Sequence, residues 1–103
     1  MNFKHDDQGL AGLFTAGEGE DRAELSYAVS EDKQALIFDH TYVPEHDRGH
    51  GTAEALVDHA VGYARSKGLK VSPACSYVRT LFERHPDRYA DVATGHKTPA
   101  VPS

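Results

Sequence analysis

The chain has 103 residues, of which 39% are hydrophobic and 26% charged, and its formal net charge is −5 at pH 7. That length leaves room for one domain around one core, and the composition excludes an intrinsically disordered chain. The acidic balance excludes the basic face with which nucleic-acid binders displace counterions.

The first third reads as β-structure. A weak strand near Phe3 to Asp6 is followed by a turn at Gln8-Gly9 and a second strand around Leu10 to Ala16, and Gly17 to Asp21 form a polar, Gly-rich turn. From Ala23 to Val29 apolar residues alternate with Glu24 and Ser26, the period of a half-buried strand. Ala35 to Val43 carries apolar residues on both faces, as a central strand does. Pro44 ends it, because proline cannot donate to the ladder.

Ala53, Leu56, Val57, Ala60, Val61 and Ala64 fall on one stripe of a helix, and Gly68 suits the position just past its end. A short strand over Leu69 to Ser72, ended by Pro73, and a helix over Ser76 to His85, closed by Pro86, complete the pattern. The expected fold is α/β (α+β): a mixed, largely antiparallel sheet flanked by helices. Residues 1–92 form the single domain, and 93–103 read as a polar, flexible C-terminal tail.

Between the strand end at Val43-Pro44 and the helix lies Glu45-His46-Asp47-Arg48-Gly49-His50-Gly51-Thr52-Ala53. A helix's first turn has unpaired N–H groups and the positive end of the macrodipole, so anions bind there. Gly49 and Gly51 allow close approach. The Walker string is absent, and Glu54 stands where a dinucleotide fingerprint needs its third glycine. A bland alternative is that the two glycines only permit a sharp strand-to-helix turn, with Arg48 a solvated charge.

Arg48-Gly49-His50-Gly51-Thr52-Ala53 resembles the R/Q-x-x-G-x-G/A signature of the GCN5-related N-acetyltransferases, which cradles the pyrophosphate of acetyl-CoA. The flanks His40-Thr41-Tyr42-Val43-Pro44 and Val71-Ser72-Pro73-Ala74-Cys75-Ser76-Tyr77-Val78 resemble the compact, roughly hundred-residue branch of that superfamily, over about residues 10 to 92. The resemblance implies an acetyl-CoA-dependent N-acetyltransferase acting on a primary amine of a protein, peptide or small molecule. It also implies a minimal fold without the early acceptor-pocket helices, and hence an open acceptor side. The alternative is a non-catalytic module that binds or senses acyl-CoA.

The resemblance assigns cofactor binding to Arg48, Gly49, His50, Gly51, Thr52 and Ala53, to Tyr42 and Val43 through their backbone, and to Ser76 and Tyr77 where the pantetheine arm runs. His40 sits on the alternation that carries Leu36, Phe38 and Tyr42, and an imidazole near neutrality suits a general base. A hydrogen-bonded core histidine is the competing reading. Cys75 lines the acetyl site or accepts the acetyl group transiently, against the ordinary role of a small buried hydrophobe. Tyr77 sits where many relatives keep the tyrosine that protonates the departing thiolate, against simple ring packing.

His46 and His50 superficially resemble a zinc motif, but Gly49 interrupts the helix such a motif requires and Asp47 replaces its glutamate, so no metal is expected. Cys75 is the only cysteine, which excludes an internal disulfide and fits a reducing compartment. With no membrane-length apolar stretch and no leader at Met1 to Gln8, the expectation is a cytoplasmic monomer or weak homodimer, with a cationic acceptor suited to the negative charge.

Overall fold

The computed structural model describes residues 2–17, 19, 22–47, 49 and 51–94. Its elements in chain order are β1 (Phe3–Asp7), β2 (Ala11–Ala16), β3 (Ala23–Val29), β4 (Ala35–Tyr42), a 3-10 turn (Glu45–Asp47), α1 (Thr52–Ser66), β5 (Lys70–Pro73), α2 (Ser76–Arg84) and α3 (Pro86–Tyr89). The five strands form one sheet in the order β1-β2-β3-β4-β5. β1 to β4 are an antiparallel meander, and β5 joins β4 in parallel. The helix crossover from β4 to β5 supplies the reversal that a parallel pair needs.

Pairing sets the faces. Phe14 stands opposite Leu25, Tyr27 opposite Phe38, and Leu36 opposite Val71, so these side chains share the face onto which α1 packs. The buried stripe of α1 is Thr52, Leu56, Val57, Ala60, Val61 and Ala64, with Ala53 only half-buried because Thr52 takes the innermost place at the helix start. Val78, Leu81 and Phe82 of α2 join the same core, and Phe82 stacks on Tyr89 of α3 with centroids 4.4 Å apart. Tyr89 in turn donates its hydroxyl to Asp58 of α1, so the three helices pack side by side.

Gly12 of β2 faces Tyr27 of β3. The Tyr27 ring lies over this glycine and reaches His5 on β1, with 2.6 Å between the hydroxyl and His5 Nε2. A Cβ at position 12 would run into that ring. His5 also stacks on Phe14 at 4.1 Å and meets Tyr63 of α1 edge-on at 4.5 Å. Burial holds its imidazole below the ordinary histidine pKa, and burial raises the Tyr27 phenol to about 12.

Two boundaries differ from the sequence expectation. Pro73 is the last residue of β5, paired with Phe38, since a strand's final position can go without a donor. Pro86 opens α3 at its first turn, where a missing N–H is harmless. Ala93 pairs with Val71, and the Thr94 N–H donates to the Val71 carbonyl, so the segment expected as tail is held to β5 at its start. The remainder of that tail, 95–103, lies outside the described residues.

Candidate active site

The strand-to-helix loop enters α1 through two left-handed residues, Gly49 at φ 84° and Gly51 at φ 78°. Gly51 is the residue that precedes the helix, no side chain among the described residues caps that end, and the first intrahelical bond runs from the Ala55 N–H to the Gly51 carbonyl. The N–H groups of the first turn therefore point out of the helix end without a side-chain acceptor. A Cβ built on Gly49 or Gly51 meets nothing within 4 Å. These glycines answer a conformational need and leave an open approach, and neither yields space to a packed neighbour. Arg48 and His50, assigned to the same cradle, lie outside the described residues.

The loop opens into a cleft of about 610 Å³, a size typical of ligand sites. Its lining brings together Thr41, Tyr42 and Val43 from the end of β4, Gly49 and Gly51 from the loop, Thr52, Ala53 and Glu54 from α1, and Tyr77 and Arg84 from α2. Seven of the residues expected from the sequence thus meet in one place: Tyr42, Val43, Gly49, Gly51, Thr52, Ala53 and Tyr77. Tyr42 and Tyr77, both at the cleft, keep 45% and 38% of their surface exposed.

The cleft exists because β4 outruns β5. Their pairing ends at Phe38 and Pro73, and the Cys75 N–H takes the Phe38 carbonyl as the chain turns into α2. Beyond that point Asp39 to Tyr42 have no β5 residue beside them. Thr41 and Cys75 face each other across this gap, with Oγ1 and Sγ 3.4 Å apart. Cys75 and Ser76 are not among the lining residues. Cys75 is half-buried behind Thr41 and packs on the core, and Ser76 is exposed at the start of α2.

His40 is displaced from the face expected for it. Ser26 pairs with His40 while Tyr27 pairs with Phe38, so β4 holds an extra residue, Asp39, at a β-bulge. One inserted residue flips every later side chain to the opposite face. Leu36 and Phe38 point to the helices, whereas His40 and Tyr42 pair with Ser26 and Glu24 on the other face, and Thr41 takes the helix-side position opposite Leu25. His40 is exposed, so it is not a core histidine. The Ser26 hydroxyl donates to Asp39 at 2.6 Å and so fastens the bulge.

Three lining residues, Thr41, Glu54 and Arg84, went unnoticed in the sequence. Thr41 could not be found without the bulge. Arg84 follows Tyr77 by seven residues, a helical repeat that would have placed both on one face. Glu54 accepts from Arg88 of α3 at 2.8 Å, and that guanidinium holds its carboxyl below the ordinary glutamate pKa. Burial pushes the Tyr77 phenol up, so it remains protonated through neutral pH. Among the described residues no group of three or more His, Cys, Asp or Glu side chains is arranged to hold a metal ion, and no helix is long and apolar enough to cross a membrane.

Comparison with known proteins bears on the family and the fold. Residues 8–92 match the family model of the GCN5-related N-acetyltransferases. The fold is similar to that of a GCN5-like protein from Staphylococcus aureus solved in solution by NMR, with a TM-score of 0.65 and 28% identity over 91% of this chain and 90% of that one.

Proposed function

This chain belongs to the GCN5-related N-acetyltransferase family, and from that premise we propose that it transfers the acetyl group of acetyl-CoA to a primary amine. The observation that carries the reading is the left-handed, uncapped entry of α1 at Gly51, opening into the cleft at the end of β4. Backbone N–H groups between Gly49 and Ala53 would hold the pyrophosphate, and the resemblance adds Arg48 and His50 to that role. Bound there, the cofactor supplies an activated thioester.

The chain's own groups then divide the work between two faces of the sheet. Next to the cleft, the backbone of Tyr42 and Val43 would orient the thioester carbonyl and offer donors to its oxygen. Cys75 packs behind Thr41, one residue removed from the cleft wall, and Tyr77 would flank the arm, with Ser76 beside it at the start of α2. The Tyr77 hydroxyl would hold the proton that a departing thiolate needs. On the open side, His40 takes the proton that the attacking nitrogen releases. That arrangement suits a base which, after the bulge, faces the acceptor and not the cofactor.

A second reading, an acyl-CoA-binding module without turnover, is favoured by the absence of His40 from the cleft lining. Calorimetric titration with acetyl-CoA and CoA, followed by a panel of amines, separates the two. Micromolar binding with transfer to an amine supports the enzyme. Binding without transfer to any amine supports the module, and no binding refutes both.

A further inference from the structure

A chain of net charge −5 must hold a cofactor rich in phosphate, so the few cations of its cleft matter. Arg84 is the only cationic side chain among the described lining residues, and Glu54 the only anionic one. Arg88 engages Glu54 at 2.8 Å from α3, outside the cleft. Arg84 forms no ion pair with any described carboxylate. Arg88 therefore pairs with the only acid among the described lining residues, while Arg84 lines the cleft without an ion pair of its own.

Position supports the same role. Tyr77 and Arg84 are two helical turns apart on one stripe of α2, about 10 Å along the axis, so a single helix face borders the cleft at both positions. A guanidinium offers a planar fork of donors that matches phosphate oxygens two at a time. The competing explanation is structural, because a cation in the last turn of a helix also complements the macrodipole.

We propose that the Arg84 side chain binds a phosphate group of coenzyme A, as a contact separate from the backbone cradle at Gly49 to Ala53. The proposal rests on the cofactor reading above. Arg84 is exposed, so its replacement leaves the fold intact.

The test titrates the full chain and its R84Q and R84K variants with CoA, 3′-dephospho-CoA and pantetheine, by calorimetry and by amide NMR shifts for the weaker ligands. R84Q should weaken CoA at least about tenfold, as loss of a charge-assisted hydrogen bond does. R84K should recover part of that loss, and pantetheine binding should not change. If the R84Q penalty vanishes with 3′-dephospho-CoA, the partner is the 3′-phosphate; if it persists, the pyrophosphate. Unchanged CoA affinity in R84Q, or an equal loss for pantetheine, overturns the proposal. Failure of the unaltered protein to bind CoA sinks the underlying reading instead.

Discussion

Replacing Gly51 by tryptophan should abolish CoA binding for a reason separable from stability. Gly51 has φ 78°, and Gly68, just past the other end of α1, has φ 69°. A Cβ at either site meets nothing within 4 Å, so neither substitution is blocked at the first atom of its side chain. Each forces a bulky L-residue into the left-handed region at a cost of about 1–2 kcal/mol. In a domain of this size that lowers Tm by about 4–8 °C per kcal/mol. The two variants should therefore melt alike. They should differ in binding, because only at position 51 does the new side chain fill the approach to the first-turn N–H groups. Loss of two hydrogen bonds to a charged ligand, at about 1.5–3 kcal/mol each, corresponds to a drop in affinity of about 100-fold or more. Calorimetry on both variants at a temperature where each is folded gives the answer. Unchanged CoA affinity in Gly51→Trp, or an equal loss in Gly68→Trp, would refute the assignment of the loop.

Three further expectations follow from the same geometry. Cys75→Ala should spare CoA binding and reduce acetyl transfer, measured as kcat on any accepted amine; a collapse of binding instead would mark Cys75 as packing alone. Gly12→Ala drives a methyl into the Tyr27 ring and should cost about 1–3 kcal/mol, read as a lower urea midpoint at unchanged m. The His5 imidazole, lowered by burial, favours the neutral form when folded, so the unfolded chain takes up the proton first as pH falls. Its contribution is whole above about pH 6.5, the unperturbed histidine value, and drains away as pH drops toward the depressed folded value. His5→Phe should flatten the dependence of urea midpoint on pH in that window, and an unaltered slope would assign it to other groups.

The sequence by itself determined the five strands, the two longer helices and the glycine-bearing loop between β4 and α1. Alternation over Ala23 to Val29 and the stripe from Leu56 to Ala64 are local periodicities, legible because a strand repeats every two residues and a helix every 3.6. Two glycines spaced across a strand-to-helix turn carry their own explanation, since a positive φ and a close approach are properties of the residues themselves. Only the tertiary structure decided which side chains meet. The bulge at Asp39 turned His40 to the open face and Thr41 toward Cys75, and a one-residue insertion in a ladder leaves no mark on composition or periodicity. The pairing of Arg88 with Glu54, 34 positions apart, is likewise invisible to local periodicity. Such contacts are fixed by how α3 packs on α1, and that packing depends on the whole core at once.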